Sequence, residues 1–305
     1  MNISVVIPTY NREEDLLNQL TKIDVCDSVG IKVEIFDDCS QSQYNKIASF
    51  NFKYLNVVLR RNLTNLGFSK NILYALRKTS ADYVVLMADD DELVVHNVKR
   101  AIKYLERVNA DFASPLSYIS GNRYRGVKQC REIKNYEFMQ ASSRAPGLIF
   151  KVSTARKYLD KVSQRIDSGC SFCSFYPQTA LMLYMLADEK NCIFIPIVLD
   201  RIGFNRPTGL KTSSGATFWS FEARAHQLSD LCRLIQDAFS SHDHEVMLNA
   251  ANMSYSPRLV GIMPLWQQFV VLWICFRRAI WRSVMSCFNP QFKELVRRIL
   301  RHFGR

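Results

Sequence analysis

Four acidic residues directly follow an apolar run in the first third of the chain. Residues 84–87 read VVLM, which is typical of a buried strand, and Asp89, Asp90, Asp91 and Glu92 come next. Carboxylates this close repel one another unless a positive species lies among them. With no His or Cys beside them, they suit a hard divalent cation, Mg²⁺ or Mn²⁺. The alternative is the solvated start of a helix, where acidic residues are favoured.

Alternating strands and helices are predicted to position these acids. Short apolar runs predict four strands, at 3–8, 32–36, 55–59 and 83–87. Apolar residues at helical spacing predict three helices, at 12–23, 69–79 and 98–108. The alternation predicts an α/β fold, a Rossmann-like, mostly parallel sheet with helices on both faces. In such sheets ligands bind at the carboxyl ends of the strands, where Thr9, Asp37 and Asp38 also stand.

The composition is that of an ordinary globular protein. With 305 residues, 48% of them hydrophobic and 22% charged, the chain can bury a large core and is not predicted to be disordered. Its nine cysteines are scattered along the sequence, which favours a reducing compartment over a disulfide framework. The first ten residues, MNISVVIPTY, predict a first strand rather than a signal peptide.

The net charge of +12 is concentrated at the end of the chain. Residues 257–305 contain nine Lys or Arg and one acid. Within them, 259–276 carry no charge and reach the length of a membrane span, but Pro264 and Gln267-Gln268 favour a segment that dips into one leaflet. We therefore expect 258–305 to form a basic, amphipathic helical extension on an anionic membrane surface, with packing on the domain as the alternative. No nucleic-acid module accompanies this charge, so nucleic acid is not an expected partner.

Four segments of the first 110 residues carry recognisable motifs: ISVVIPTYNREEDL (3–16), VEIFDDCS (33–40), RNLTNLGFSKN (61–71) and DYVVLMADDDEL (82–93). In this order and spacing they resemble the nucleotide-binding half of the family 2 glycosyltransferases, which have the GT-A fold. Further on, GLIFK (147–151), SFYPQTALMLYML (174–186) and IPIVLDRIGFN (195–205) are similar to an abequosyltransferase-like branch that builds O-antigen or capsule. The resemblance implies transfer of a sugar from a nucleotide diphosphate, with inversion at the anomeric carbon.

The resemblance also implies the residues of the donor site. The donor-binding positions that match are Pro8, Thr9, Tyr10, Arg12, Asp37, Asp38, Asn65, Gly67, Lys70, Asp89, Asp90 and Arg201. Asp90 and Asp91 match the carboxylates that hold Mn²⁺ or Mg²⁺. Ala88 stands where the family often has its first Asp, so Asp89 is kept as a third metal ligand. For Gly67, a turn at the start of a helix is an equal alternative.

The catalytic base departs from the family pattern. Many relatives carry Glu-Asp at the start of the helix after the middle segment, and this chain has Pro177-Gln178 there. A glutamine cannot accept the proton of an acceptor hydroxyl. Asp167, just upstream, is the alternative base that we favour, ahead of Asp188 and Glu189, which follow the helix.

These expectations give a domain plan and a function. Residues 1–110 are expected to bind the nucleotide sugar, 111–240 the acceptor, and 241–305 the membrane. The predicted enzyme moves a sugar, with a UDP-sugar as first candidate donor, to a polyprenyl-diphosphate-linked glycan on the cytoplasmic face of a bacterial plasma membrane. The alternatives are a non-catalytic GT-A protein that binds a nucleotide or glycan at the membrane, and a sugar nucleotidyltransferase. The latter is disfavoured because no Gly-rich triphosphate loop follows the first strand.

Overall fold

The computed structural model describes residues 2–120, 123–202, 221–239, 244–248 and 250–251. The chain divides into two compact units, Met1–Thr208 and Gly209–Arg305. The strands of the described residues are β1 (Ile3–Thr9), β2 (Lys32–Asp37), β3 (Asn56–Arg61), β4 (Tyr83–Leu86), β5 (Glu92–Leu93), β6 (Phe112–Ser120), β7 (Arg123–Arg125), β8 (Arg131–Glu132), β9 (Ile149–Lys151) and β10 (Cys192–Arg201). The α-helices are α1 (Glu13–Ile23), α2 (Asn45–Ser49), α3 (Phe68–Lys78), α4 (Val95–Val108), α5 (Phe138–Ser142), α6 (Val152–Ala155), α7 (Leu159–Asp167), α8 (Ser171–Phe175), α9 (Pro177–Ala187) and α10 (Phe221–Ala238).

All ten strands belong to one sheet in the first unit. Its order is β3-β2-β1-β4-β9-β6-β10-β5, with β7 added to β6 and β8 to β10. The pairings of β1 with β2 and β4, of β2 with β3, and of β6 with β10 are parallel. The short strand β9 is antiparallel to both β4 and β6, which it joins. The predicted α/β fold with a mostly parallel sheet is therefore confirmed.

The strands alternate between two apolar faces, as their period of two requires. On one face, Val5, Ile7 and Val85 share a hydrophobic cluster with Leu20 of α1 and Ile102 of α4. On the other face, α3 packs against β1. Because both faces are covered, β1 and β4 are mostly apolar, and β2 is buried from Val33 to Asp37 although it contains Glu34.

The predicted elements of the first 110 residues lie within three residues of the observed ones. In the middle of the chain, the last three residues of GLIFK form β9. A strand of three residues is too short for a period to be read from sequence, so its antiparallel place between β4 and β6 was not foreseen.

The second unit contributes α10. The segment 259–276 and the rest of the predicted membrane extension 258–305 lie outside the described residues. Among the helices that the structure describes, none is both long and apolar enough to cross a bilayer.

Candidate functional site

Asp89, Asp90 and Asp91 lie between β4 and β5, at the carboxyl edge of the sheet, in a segment that we call the acidic loop. β5 pairs with the end of β10, where Leu93 is opposite Asp200. The helix α4 begins only at Val95 and has no acid in its first turn. The alternative that Asp89–Asp91 are the solvated start of a helix is therefore wrong, and these acids need another explanation.

Asp89 and Asp90 face the end of β1. Thr9 donates a hydrogen bond from Oγ1 to Asp89 Oδ2 at 2.8 Å. Arg12 places Nη1 3.4 Å from Asp89 Oδ1 and 3.4 Å from Asp90 Oδ2. One guanidinium thus forms an ion pair with both carboxylates, at the long end of ion-pair distance.

The environment of these two acids disfavours their charge. Burial raises the pKa of Asp89 to about 6, although Arg12 and Thr9 act in the opposite direction. Burial also raises the pKa of Asp90, and the neighbouring charge of Asp91 adds to the effect. Among the described residues, the positive charge of Arg12 does not offset the effect of burial on the two carboxylates, because both pKa values stay raised. Perturbed pairs of this kind are common at sites that bind a further cation or ligand.

Tyr44, which no sequence motif singles out, organises the end of β1. Its hydroxyl lies 2.9 Å from Thr9 Oγ1 and accepts a hydrogen bond from the Arg12 backbone N–H at 3.0 Å. The side chain is fully buried. It therefore fixes two residues of the predicted donor site without facing the solvent itself.

Asp37 and Asp38, at the end of β2, are both buried and hold the neighbouring loops. Asp37 accepts hydrogen bonds from Ser40 and lies 3.6 Å from Arg61 Nη1. Asp38 accepts from Asn62 Nδ2 at 2.9 Å and from the backbone N–H groups of Leu66 and Gly67, each at 2.8 Å. Asp38 is thus the anchor of the loop that leads into α3.

The loop after β3 carries the remaining predicted donor residues. Gly67 has a φ of +81° and is the N-cap residue of α3, so the turn at the start of a helix accounts for this glycine. The Asn65 side chain accepts a hydrogen bond from Gly67 N at 2.9 Å.

At the edge of the sheet, Pro8 pairs with Phe36 in register, and Tyr10 is 45% exposed. Tyr10 is therefore accessible to a ligand.

The candidate base Asp167 forms an ion pair with a predicted donor residue. It is the last residue of α7, and its Oδ1 lies 2.6 Å from Lys70 Nζ in the first turn of α3. Both side chains are about half exposed. The fold therefore brings the base candidate beside the loop that Asp38 anchors.

Gln178, which stands where relatives carry the base, is buried and has a structural contact. Its Nε2 donates to the carbonyl oxygen of Ser142 at 3.1 Å, and Thr179 Oγ1 donates to the same oxygen at 3.0 Å. Two side chains at the start of α9 thus hold the end of α5. Of the other acids weighed, Asp188 accepts a hydrogen bond from Tyr158 at 2.7 Å.

Asp91 forms an ion pair with Arg144, whereas Asp89 and Asp90 share Arg12. Arg144 Nη2 donates to Asp91 Oδ2 at 2.6 Å and to Asp200 Oδ2 at 2.7 Å. Burial alone would lower the pKa of Arg144, but the charges of Asp200 and Asp91 raise it. Burial raises the pKa of Asp200 against the charge of Arg144. Arg144 was not selected from the sequence, because it is 53 residues from one acid and 56 from the other.

Arg201 lies at the end of β10 and reaches Glu92, the first residue of β5. Its Nη1 is 3.4 Å from Glu92 Oε1, and its guanidinium stands over the ring of Tyr118. More than half of the Arg201 side chain is exposed, so it remains accessible to a ligand.

The predicted metal ligands do not form one cluster. Within the described part of the chain, no group of three or more His, Cys, Asp or Glu is arranged to hold a metal ion. Asp89 and Asp90 nevertheless offer adjacent oxygen ligands with raised pKa values. Mg²⁺-type sites commonly use only one or two carboxylates and complete the shell with phosphates and water, so this donor set fits such an ion.

Comparison with solved structures identifies the fold. The chain superposes on Staphylococcus aureus TarS 1–349 in complex with UDP-GlcNAc with a TM-score of 0.61 at 19% identity, over 88% of this chain and 78% of that one. It also matches the mannosyltransferase PcManGT of Pyrobaculum calidifontis, solved with GDP-Man and Mn²⁺, with a TM-score of 0.50 at 14% identity, over 100% of this chain and 88% of that one. The fold is that of the GT-A glycosyltransferases, as the resemblance implied.

Sequence comparison then gives the family. The model of glycosyl transferase family 2 matches residues 4–167, more than half of the chain, and the chain belongs to this family. Among curated relatives, the poly(ribitol-phosphate) beta-N-acetylglucosaminyltransferase TarS of S. aureus (strain Mu50) is 31% identical over 133 residues, 42% of this chain and 23% of that protein. The abequosyltransferase RfbV of Salmonella typhimurium is 30% identical over 113 residues, 35% of this chain and 33% of that protein. The matched regions thus span a third or less of the length of these relatives.

Proposed function

We propose that the protein is an inverting glycosyltransferase that takes a sugar from a nucleotide diphosphate, with a UDP-sugar as the first donor to test. The observation that carries the proposal is the pair Asp89 and Asp90, half-buried at the carboxyl edge of the sheet, where both share the guanidinium of Arg12 and have raised pKa values. A diphosphate brought there with a cation relieves that imbalance. The complex of TarS with UDP-GlcNAc supports the choice of UDP.

The donor side of the site is built from the ends of β1 and β2. Thr9 and Arg12 hold Asp89, and the exposed Tyr10 is available to the nucleoside. Asp38 shapes the loop after β3 and so acts on the donor indirectly. Arg201 can reach a diphosphate oxygen from the other side of the acidic loop, since a guanidinium fork suits phosphate.

Asp89 and Asp90 are the residues that would hold Mn²⁺ or Mg²⁺. When bound, such an ion neutralises charge on a diphosphate leaving group. The remaining tasks belong to the chain: Arg12 orients the two carboxylates, and the buried Thr9 hydroxyl keeps Asp89 in place.

Asp167 is our proposed general base. Its ion pair with Lys70 places it next to the start of α3, and its exposure leaves it open to an acceptor hydroxyl. The base would take the hydroxyl proton as the acceptor oxygen attacks the anomeric carbon and the nucleotide diphosphate departs.

For the acceptor and the location we propose a polyprenyl-diphosphate-linked glycan at the cytoplasmic face of a bacterial plasma membrane. The similarity to TarS, a poly(ribitol-phosphate) beta-N-acetylglucosaminyltransferase, and to the abequosyltransferase RfbV supports an acceptor in cell-surface polymer synthesis. The basic composition of 258–305 supports a peripheral contact with anionic lipid. O-antigen or capsule synthesis is the corresponding biological setting.

Calorimetry with UDP-, GDP-, CDP- and dTDP-linked sugars in the presence of Mn²⁺ tests the donor site. We expect one nucleotide class to bind clearly above the others. Binding of none would contradict the proposed function.

The base is tested by Asp167→Asn, with Asp160→Asn as the matched control. Asp160 lies in the first turn of the same helix, α7. It also forms an ion pair with a basic residue of α3, Arg77, at 2.5 Å. Loss of a general base is expected to lower kcat about 100-fold or more while donor affinity is kept, and Asp160→Asn should leave both unchanged. Equal rates in the two variants would remove Asp167 from the mechanism. Donor binding without any transfer by the wild type would favour the alternative of a non-catalytic binding protein, which the buried Gln178 keeps open.

A further inference from the structure

Arg144 lies between two acids that come from distant parts of the chain. Asp91 belongs to the loop after β4, and Asp200 is near the end of β10. One guanidinium nitrogen donates to both, at 2.6 and 2.7 Å. The side chains of Asp91 and Asp200 are 7% and 0% exposed, and that of Arg144 is 16% exposed. At this burial a missing positive charge would leave two like charges side by side, which is strongly unfavourable.

The backbone that carries Arg144 is attached to the strand from which the acidic loop starts. Gly147 N donates to the Leu86 carbonyl oxygen at 2.7 Å, and Leu86 N donates to the Leu148 carbonyl oxygen at 2.8 Å. Gly147 has a φ of +86°, and a Cβ there would lie 2.8 Å from Asp200 Oδ1. A glycine is therefore needed for the close approach of this segment to Asp200.

The other end of the segment is held by α9. Gln178 and Thr179 both donate to the Ser142 carbonyl oxygen, two residues before Arg144. Arg144 therefore reaches Asp91 from a backbone that is fixed on both sides, at Ser142 and at Gly147. This gives the glutamine at the usual base position a defined task in this chain.

We propose that Arg144 is a positioning residue for sugar transfer: it binds Asp91 to the end of β10 and thereby orients Asp89 and Asp90 toward the donor. In this arrangement Asp91 belongs to an internal ion cluster and is not a ligand of the donor-side cation. The inference rests on the proposed function, because it assigns Asp89 and Asp90 to the nucleotide diphosphate.

The test uses Arg144→Lys in the full chain, with Arg131→Lys as the control. Lysine keeps the charge but not the planar fork. Arg131 also makes short bonds to a carboxylate, with its two terminal nitrogens 2.6 Å from the two oxygens of Glu137, but touches no residue of the acidic loop. Both variants remove a terminal guanidinium nitrogen that binds carboxylate, and only Arg144→Lys removes it from Asp91.

The first measurement is hydrogen exchange of the backbone amides of residues 88–93, which needs no ligand. Arg144→Lys is expected to speed this exchange about tenfold, equivalent to about 1.4 kcal/mol, while Arg131→Lys leaves it at the wild-type rate. Equal exchange in 88–93 for wild type and Arg144→Lys would overturn the proposal. Should Arg144→Lys fail to fold, Asp200→Asn replaces it: a smaller acceleration in the same segment is expected, and no acceleration again overturns the proposal.

The second measurement is the dissociation constant for UDP with Mn²⁺. Arg144→Lys is expected to weaken binding about tenfold, and Arg131→Lys to leave it within about twofold of the wild type. A purely structural role for Arg144 would lower the melting temperature of Arg144→Lys without this loss of affinity, and that result would overturn the proposal. If the wild type binds none of UDP, GDP, CDP and dTDP, the proposed function fails, while the exchange result still decides the role of Arg144 in holding the loop.

Discussion

Glu34, buried in β2, and Asp89, half-buried in the loop after β4, are both partly removed from water, but their pKa values are shifted in opposite directions. Burial by itself would raise the pKa of Glu34, but hydrogen bonds from Thr79, Ser4 and Arg60 and the charge of Lys32 hold it below its ordinary value. Asp89 is bonded by Thr9 and shares Arg12 with Asp90, and burial raises its pKa to about 6. Burial of a carboxylate therefore does not mark a binding site; a shortage of donors around it does.

The two clusters also lie at different places on the sheet. Glu34 is opposite Val6 within the strands, where its neighbours are fixed by the parallel register. It accepts bonds of 2.8 Å from Ser4 and 2.6 Å from Thr79, and two basic side chains lie within 3.3 Å of Oε2. Asp89 and Asp90 lie in a loop at the carboxyl edge, where ligands of such sheets bind. The first cluster is complete within the chain, and the second is completed by a ligand in our proposal.

The largest effect is expected for Asp90→Ala. Removing a carboxylate that holds the cation should weaken Mn²⁺-dependent nucleotide binding by at least about 100-fold, with no loss of stability, since the fold disfavours the Asp90 charge. Calorimetry and thermal unfolding measure the two effects, and Asp160→Ala is the control. Nucleotide affinity equal to that of the wild type would place the donor cation away from Asp90.

Glu34→Gln should show the converse pattern. The substitution removes the charge that Arg60 and Lys32 stabilise, so we expect a loss of about 2 kcal/mol in the free energy of unfolding and no change in nucleotide affinity. Urea unfolding and calorimetry test this pair of outcomes. A large loss of affinity would mean that the two clusters are coupled rather than separate.

The pH dependence of that loss follows from the direction of the pKa shift. Because the pKa of Glu34 in the folded state lies below its ordinary value of 4.5, its charge contributes stability above that pH. The contribution disappears as the pH falls through the lowered pKa. The stability difference between wild type and Glu34→Gln should therefore be constant from pH 6 to 8 and shrink below about pH 4.5. A difference that grows on acidification would contradict the lowered pKa.

The smallest effect is expected for Arg77→Ala. Its ion pair with Asp160 is short, at 2.5 Å, but both side chains are about half exposed or more. Exposed ion pairs contribute about 0.5 kcal/mol or less because water and salt screen them. Unfolding in denaturant should show a change within that limit, and a loss comparable to that of Glu34→Gln would show that exposure is a poor guide to these clusters.

Sequence reasoning found the parts of the site that lie close to strand ends. Thr9, Asp37 and Asp89 each follow an apolar run, and parallel strands bring such ends to one edge, so their meeting could be predicted. The role of Asp38 as a loop anchor could not be predicted. Its carboxylate oxygens accept hydrogen bonds largely from the backbone amides of Leu66 and Gly67, and every residue except proline has such an amide. Arg12 was predicted as a donor-site residue, but its sharing between Asp89 and Asp90 is a matter of loop geometry.

The sequence by itself determined the α/β architecture, the family and the acidic edge, because apolar periodicity and local motifs are properties of neighbouring residues. Only the tertiary structure decided how the three acids divide, with Asp89 and Asp90 on Arg12 and Asp91 on Arg144. It also decided that Gln178 is a buried support for the segment that carries Arg144. These contacts join residues more than thirty positions apart, and the spacing along the chain holds no record of which side chains the packing of α5, α9 and β10 brings together.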